Sequence, residues 1–294
     1  MADSLSIAGS DAEKLEPHLP PRRPVAGPDG TRDASLSVAP GSSDAWLAGS
    51  ARPFVTLTFA MSLDASLALT PGQQLALSGP ESKAMTHYLR SRHDAICVGV
   101  GTAIADDPGL NCRIAGVGLG DQPRPFIIDP HARWRLHHDS RVMRTARAGL
   151  GLAPYILTAV QDPPKDVQTL LEEHGGKYIL LDRARPQGGG VDTARNHHFA
   201  WPDILAAMYD EDVRSVMIEG GAGIINELIE PAAHHLVDSV VVTLAPTWLG
   251  QGGVVVSPAR TLDENGHAVP AARLTDVAWF PFGADMVLCG KIGH

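Results

Sequence analysis

The sequence predicts an α/β fold with a mixed, mainly parallel central sheet flanked by helices and an antiparallel edge formed by the C-terminal strands. Two patterns support this prediction. In the middle of the chain, short apolar runs of strand length alternate with helix candidates, as in parallel sheets that helices cover on both faces. Near the C-terminus, strand candidates follow one another with no helix between them, which favours antiparallel pairing.

The alternating region begins with the strand candidate PFVTLTFAM, residues 53–61. Ser78 and Glu81 then have the spacing of a capping box, which predicts a helix that reaches about Arg92. DAICVGVGT (94–102) is the second strand candidate, and ADDPGLNCRI follows it as a loop. Four more apolar runs predict strands: RPFIID, PYILTAV, KYILLD and RSVMIEG. Between these runs, helices are predicted at DVQTLLEEHGG and WPDILAAMYDEDV.

The two ends of the chain differ from this alternating region. The C-terminal part holds a long strand candidate, LVDSVVVTLAPTWLG, and two further strand candidates around a Phe-Gly turn. Residues 1–50 are rich in Pro, Gly, Ser, Ala and Asp and lack apolar periodicity, which predicts a disordered N-terminal extension. Such a segment buries too little apolar surface to offset its ordering entropy. Residues 51–294 are then one domain, with an exposed insertion at 184–198.

The composition excludes several classes of protein. With a net charge of −9, the chain lacks the basic face of a general nucleic-acid binder. Its 3 cysteines form no C-x-x-C pair, so no metal site is predicted, and the scattered thiols fit a reducing compartment. No apolar run approaches the roughly 20 residues of a membrane span, and the first residues lack the apolar core of a signal peptide. We therefore expect a cytoplasmic protein with no membrane partner.

The stretch SVMIEGGAGIINELI places Glu219, Gly220, Gly221 and Gly223 where a strand passes into a helix. A helix N-terminus presents free N–H groups and a partial positive charge, both of which suit a phosphate. However, the G-G-x-G spacing is not the Rossmann G-x-G-x-x-G pattern, and no acidic residue is clearly placed to read a ribose. Glycine-rich turns also occur without ligands. These residues alone leave a phosphate-binding loop and a plain turn equally open.

The stretch GVGTAIADDPGLNCRI (99–114) carries polar residues after a strand candidate. Thr102 can donate a hydrogen bond to a phosphate or an amide. Asp106 lies in an Asp-Asp-Pro segment, where aspartate commonly forms a turn. Arg113 has the alternative role of a solvated surface residue, and Arg90 that of a cation at a helix C-terminus.

Taken together and in this order, these stretches resemble the riboflavin-biosynthesis reductases, a family with the dihydrofolate-reductase-like fold. The matching motifs are SLDA (62–65), MTHYLRSRHDAICVGVGTAIADDPGLNCRI (85–114), RPFIID (124–129), IEGGAGIIN (218–226) and VVVTLAPTWLG (240–250). The block at 85–114 looks most like the fungal stand-alone form, which reduces 2,5-diamino-6-(ribosylamino)-4(3H)-pyrimidinone 5′-phosphate with NADPH. Many bacterial relatives add a zinc deaminase, whose H-x-E and P-C-x-x-C motifs are absent from this sequence, so we expect reduction only.

The resemblance also implies roles for individual residues. It implies a cofactor site in which Ala60 lies beside the nicotinamide, with further contacts from Thr102, Asp106, Gly220, Gly221, Ala222 and Gly223. It implies a substrate site formed by Arg90, Arg113 and the backbone near Leu110, in which the arginines suit the 5′-phosphate. Glu219 touches both ligands and is the candidate catalytic residue. It either balances a cationic imine or bonds the pyrimidine amino groups, and both roles stay open.

The resemblance is not complete at two positions. Many relatives have glycine where Ala65 stands, and some carry a lysine where this chain has Thr58, which removes a lysine-based proton donor. Two alternative functions stay in view: a pterin or dihydrofolate reductase on the same fold, and a non-catalytic nucleotide-binding protein. Because relatives in the family are dimers, the resemblance also implies a homodimer.

Overall fold

The computed structural model describes residues 4–22, 52–72, 75–182 and 199–293. The strands are β1 Phe54–Met61, β2 Ser66–Ala68, β3 Ala95–Gly99, β4 Arg124–Ile128, β5 Tyr155–Thr158, β6 Lys177–Leu180, β7 Ser215–Gly220, β8 Ser239–Leu244, β9 Val254–Val255, β10 Thr261–Leu262, β11 Ala268–Val269, β12 Leu274–Phe282 and β13 Asp285–Ile292. The α-helices are α1 Gly9–Leu15, α2 Pro80–Ser91, α3 Val100–Asp106, α4 Arg141–Arg147, α5 Lys165–Glu172, α6 Trp201–Asp210 and α7 Ala222–Ile229. Within the described ranges, no helix has the length and apolar character that crossing a membrane requires.

Nine strands form one sheet in the order β12-β13-β8-β1-β7-β3-β4-β5-β6. All strands from β8 to β6 in this order run parallel to one another, whereas β13 pairs antiparallel with both β8 and β12. The predicted mixed, mainly parallel sheet with an antiparallel C-terminal edge is therefore confirmed. Two small sheets, β2 with β9 and β10 with β11, lie apart from it.

The central strands are buried on both faces, which explains why their sequences are almost continuously apolar. In β7, Val216 and Ile218 belong to the core cluster that also contains α6 and α7 side chains. Met217, between them, belongs to the cluster on the opposite face, against α2. None of these three side chains has exposed surface. Because a shift of one residue would reverse both faces, this burial fixes the register of β7 and the position of Glu219 near its end.

The prediction of disorder for residues 1–50 is wrong for residues 4–22. This segment forms α1, whose Leu15 has no exposed surface and packs in the core cluster that contains α2. Leu19 is also buried. Burial of Leu15 and Leu19, rather than a periodic apolar pattern, therefore offsets the entropy lost when the segment becomes ordered. Residues 23–50 lie outside the described residues, and the domain boundary at residue 50 stays a prediction.

Polar contacts also join the N-terminal segment to the rest of the fold. Glu16 accepts hydrogen bonds from Tyr88 and Arg92, at the end of α2. Leu5 forms an isolated parallel bridge with Ile114. The segment therefore contacts both α2 and the loop that follows α3.

Two local predictions are wrong. The predicted strand DAICVGVGT ends at Gly99 and passes directly into α3, so Gly101 lies in a helix and not in the strand. No side chain caps α2, which has Pro80 in its first turn and Gly79 as its N-cap. The Gly79 N–H instead donates to Asp285 Oδ2 at 2.8 Å, from the start of β13. The predicted insertion at 184–198 lies outside the described residues.

Candidate active site

The carboxyl ends of four adjacent strands, β1, β7, β3 and β4, open into one cleft of about 650 Å³. Open α/β sheets bind ligands at the carboxyl ends of their strands, and this volume is typical of small-molecule sites. The cleft lining includes Ala60, Gly99, Thr102, Asp106, Ile128, Pro130, Arg133, Glu219, Gly221, Ala222, Gly223 and Glu227.

The glycine turn joins β7 to α7 beside this cleft. Gly220 has a φ of 106°, and a Cβ at this position would come within 2.9 Å of Ile225 Cδ1, so only glycine suits it. Gly221 is the N-cap of α7, and a Cβ there would lie 3.1 Å from Thr102 Oγ1. A Cβ at Gly223 would meet nothing within 4 Å. The turn thus leaves open space at the first turn of α7, where backbone N–H groups lack helical partners.

The structure brings most of the predicted cofactor residues together. Thr102 and Asp106 on α3 line the same cleft as Ala60, at the end of β1, and as Glu219 with Gly221, Ala222 and Gly223. Gly220 is the exception, because it is buried and does not line the cleft. Burial raises the pKa of the Asp106 carboxyl group. Asp106 is therefore a partly buried group that faces the cleft and can bond ligand hydroxyls.

Arg90 and Glu219 form a bidentate ion pair next to the cleft. Arg90 Nε donates to Glu219 Oε1 at 2.8 Å, and Arg90 Nη2 donates to Oε2 at 2.7 Å. Arg90 Nη1 also donates to the Asn111 carbonyl at 3.0 Å. Burial lowers the pKa of Arg90, but the Glu219 carboxylate reverses this and raises it. Because most Arg90 donors are used within the protein, Arg90 fixes the position of Glu219.

Arg113 contacts His87, which lies three residues before Arg90 on the same face of α2. His87 Nε2 lies 2.9 Å from Arg113 Nη2. Because a guanidinium has only donors, the imidazole nitrogen is the acceptor and His87 is neutral. Burial, reinforced by Arg90 and Arg113, lowers the pKa of His87 to about 3. Arg90, Arg113 and Lys83 therefore place positive charge around one neutral imidazole, and positive charge suits an anionic ligand.

Leu110 is 2% exposed and has a φ of 50°. It belongs to the same core cluster as Val100 and Ala103, so it packs the loop after α3 against α3. Arg90, Leu110 and Arg113 lie outside the lining of the cleft. Glu219 joins this group to the cleft, because it lines the cleft and contacts Arg90.

Sequence reasoning missed three groups of this site: His87, the Asn111 carbonyl and Arg133. For His87 a signal existed, because its spacing from Arg90 places both on one face of a helix. For the Asn111 carbonyl there was none, since a backbone acceptor has no sequence signature. Arg133 lies in HARWRLH, where exposed and buried residues alternate. This alternation indicates that Arg133 is exposed, but it does not indicate that Arg133 lines the cleft.

Comparison with known proteins places this chain in a family. Residues 53–288 match the family model of the RibD C-terminal domain. The chain is 41% identical over 244 residues to the 2,5-diamino-6-ribosylamino-4(3H)-pyrimidinone 5′-phosphate reductase of Debaryomyces hansenii, covering 82% of this chain and 90% of that relative. The reductase of the same name from Saccharomyces cerevisiae is 35% identical over 241 residues, which are 82% of this chain and 87% of the relative.

Solved structures agree with the sequence relatives. The Saccharomyces cerevisiae riboflavin biosynthesis reductase Rib7 superimposes with a TM-score of 0.68 at 31% identity, covering 97% of this chain and 100% of that chain. Acinetobacter baumannii RibD, at 21% identity and a TM-score of 0.61, shares the fold over 83% of this chain and 59% of its own. The fold is thus the dihydrofolate-reductase-like fold of these reductases. The chain belongs to the family of the RibD C-terminal domain.

Proposed function

We propose that this chain reduces the ribosyl side chain of 2,5-diamino-6-(ribosylamino)-4(3H)-pyrimidinone 5′-phosphate to the ribitylamino form, a step of riboflavin biosynthesis, with NADPH as the reductant. The observation that carries the proposal is the 41% identity to a reductase of that name over 90% of its length. The proposal also depends on whether the residues that line the cleft can bind the cofactor and the substrate.

The residues of the cleft fit a nicotinamide dinucleotide. The volume of about 650 Å³ is sufficient for much of such a ligand, and the first turn of α7 is open at Gly223. Its N–H groups suit the diphosphate, and the Thr102 hydroxyl beside Gly221 adds a donor. Asp106 suits a ribose hydroxyl, and Ala60 leaves room for the nicotinamide ring. NADPH supplies the hydride, while the residues of this chain bind, orient and exclude water.

Glu219 is the proposed catalytic residue, and its contact with Arg90 favours one of its two candidate roles. Opening of the ribose breaks the bond between C1′ and the ring oxygen and leaves a C1′=N imine that accepts hydride at C1′. A carboxylate offers about four lone-pair positions, and Arg90 uses two of them. Because Arg90 already compensates the negative charge of the Glu219 carboxylate, we infer that Glu219 accepts hydrogen bonds from substrate N–H groups and does not act as the counter-ion of a cationic imine.

Arg113 is the proposed partner of the substrate 5′-phosphate. Neutral His87 holds Arg113 through its Nε2 and adds no charge of its own. The phosphate is distant from C1′, so its binding energy helps to hold C1′ in position for the hydride. The homodimer and the cytoplasmic location stay predictions.

The test is to incubate the purified protein with NADPH and the pyrimidine phosphate, and separately with dihydrofolate. We expect NADPH to be consumed only with the pyrimidine phosphate, with a product two hydrogens heavier. Consumption only with dihydrofolate would favour a pterin-type reductase. Consumption with neither would leave a nucleotide-binding protein.

A further inference from the structure

The N-terminal segment, residues 4–22, pairs through its backbone with the chain at Arg113. The Leu5 N–H donates to the Arg113 carbonyl at 2.9 Å, and the Ala115 N–H donates to the Leu5 carbonyl at 2.9 Å. These two bonds form the parallel bridge between Leu5 and Ile114. Because backbone groups make both bonds, the bridge does not depend on the side chain at position 5.

The N-terminal segment is anchored along α2. Leu15 has no exposed surface and belongs to the same core cluster as Met85 and Leu89 of α2. Ile7, two residues after Leu5, packs against this cluster. These apolar contacts offset the entropy lost when the segment is ordered, so the bridge at Leu5 belongs to a packed element rather than to a frayed one.

The same helix, α2, holds the side chain of Arg113. His87 Nε2 lies 2.9 Å from Arg113 Nη2. Arg113 is therefore held at two points: its guanidinium contacts α2, and its carbonyl accepts the hydrogen bond from Leu5. Since the N-terminal segment packs on α2, the two points of support form one unit.

The backbone on the other side of Arg113 has a separate support. The Cys112 N–H donates to Gln122 Oε1 at 2.8 Å, and Gln122 Nε2 donates to the Cys112 carbonyl at 3.1 Å. Leu5 provides the corresponding support after Arg113. Loss of the Leu5 bond would leave the direction of the chain after Cys112 less constrained, and a small displacement of a binding group weakens its contact with a ligand.

We propose that Leu5 is a positioning residue for the substrate 5′-phosphate, and that the N-terminal segment completes the substrate site by pairing with Arg113. The inference deepens the proposed function and rests on it in assigning Arg113 to the phosphate. It gives the segment a role in substrate binding in addition to its packing on α2. A positioning role requires that loss of the bridge acts through Arg113.

The test is Leu5→Pro, which removes the N–H that bonds the Arg113 carbonyl. Calorimetry with NADP+ present gives Kd for the pyrimidine phosphate and for its dephosphorylated nucleoside, and steady-state kinetics give KM and kcat. We expect Kd and KM for the phosphorylated substrate to rise by about 3- to 10-fold, which corresponds to one backbone hydrogen bond. We expect kcat, and Kd for the nucleoside, to stay within about twofold, since the change acts on the phosphate contact.

Leu5→Ala and Ser6→Pro are the matched controls. Leu5→Ala retains both backbone bonds. Ser6→Pro introduces proline at the next residue, which is exposed and whose N–H makes no hydrogen bond among the described residues. Both variants should bind the phosphorylated substrate within about twofold of the wild type, because the bridge is kept. Unchanged NADPH binding in Leu5→Pro shows that this variant is folded.

The decisive comparison repeats Leu5→Pro in an Arg113→Ala background, where it should have no further effect on Kd for the phosphorylated substrate. Equal losses in the two backgrounds would overturn the inference. So would an unchanged Kd in Leu5→Pro, the same loss in Leu5→Ala, or equal weakening of the phosphorylated and dephosphorylated compounds. Failure of the proposed function is distinguishable, because phosphate-selective binding that depends on Leu5, without pyrimidine reduction, would refute the reaction and keep the role of Leu5.

Discussion

Arg90 on α2 and Glu219 at the end of β7 contact each other through two parallel hydrogen bonds of 2.8 and 2.7 Å. The two side chains are 14% and 17% exposed, so the pair is largely shielded from water. The ion pair connects Glu219, which lines the cleft, to Arg90, which lies outside the cleft lining. Each partner depends on the other, because a buried charge left alone is costly.

Glu219→Gln should impair both stability and turnover. The substitution removes the negative charge that compensates Arg90 and leaves a largely buried guanidinium without a counter-ion. We therefore expect the free energy of unfolding to fall by about 2 kcal/mol. We expect kcat/KM for the pyrimidine phosphate to fall by about 100-fold or more, since a substrate acceptor is lost as well. Urea denaturation and steady-state kinetics measure these changes. Arg90→Gln and the double variant complete a double-mutant cycle, in which additive losses would show that the pair does not act as a unit.

Arg113→Ala should weaken phosphate binding selectively. We expect KM for the phosphorylated substrate to rise by about 10- to 100-fold, because a charged hydrogen-bond donor to the phosphate is removed. The dephosphorylated nucleoside is the internal control, and its kcat/KM should change little. Equal effects on both substrates, or an unchanged KM, would contradict the assignment of Arg113 to the phosphate.

Stability should fall as the pH falls from about 6.5 to 4, in part because of His93. This residue is 4% exposed, its Nδ1 lies 2.7 Å from the Leu89 carbonyl, and its Nε2 lies 2.8 Å from Thr56 Oγ1. Burial lowers its pKa from 6.5 to about 4, so between these values the unfolded chain binds a proton that the folded chain does not. The loss is on the order of 3 kcal/mol at the acid end of this window.

The measurement is the free energy of unfolding against pH for the wild type and for His93→Gln. The variant should show a shallower slope between pH 6.5 and 4, by close to one proton. Parallel curves would mean that His93 titrates alike in both states.

Leu15→Ala tests the packing of the N-terminal segment. Leu15 has no exposed surface, so the truncation should lower the free energy of unfolding by about 2 to 4 kcal/mol. Glu13→Ala, on the exposed side of α1, is the matched control and should change it by less than about 0.5 kcal/mol. If the two variants have equal stability, residues 4–22 do not pack on α2.

The parts of the fold that sequence reasoning predicted are those with strong local patterns. The apolar runs of β1, β4 and β7 are buried on both faces, and their strand character follows directly from their composition. The N-terminal segment was missed because Leu15 and Leu19 are isolated apolar residues in a polar context. Only contacts with α2, distant in sequence, make them core residues.

The candidate site was predictable to the extent that motifs mark it. The glycine turn and Thr102 were found together only through a resemblance, because β7 and β3 are adjacent in space and distant in sequence. The pairing of Arg90 with Glu219 depends on the angle between a helix and a strand, which no spacing encodes. Ala65, where many relatives have glycine, adopts a φ of 58°, and this conformation explains why glycine suits the position.

The central claim is hydride transfer to C1′ of the pyrimidine phosphate, and an isotope experiment tests it most directly. The protein is given NADPH that carries deuterium at both C4 positions, and the product is examined by mass spectrometry and NMR. We predict one deuterium per product molecule, located at C1′ of the ribityl chain, with one NADPH oxidised for each product formed. A product without deuterium at C1′, or NADPH oxidation that yields no ribityl compound, would contradict the account.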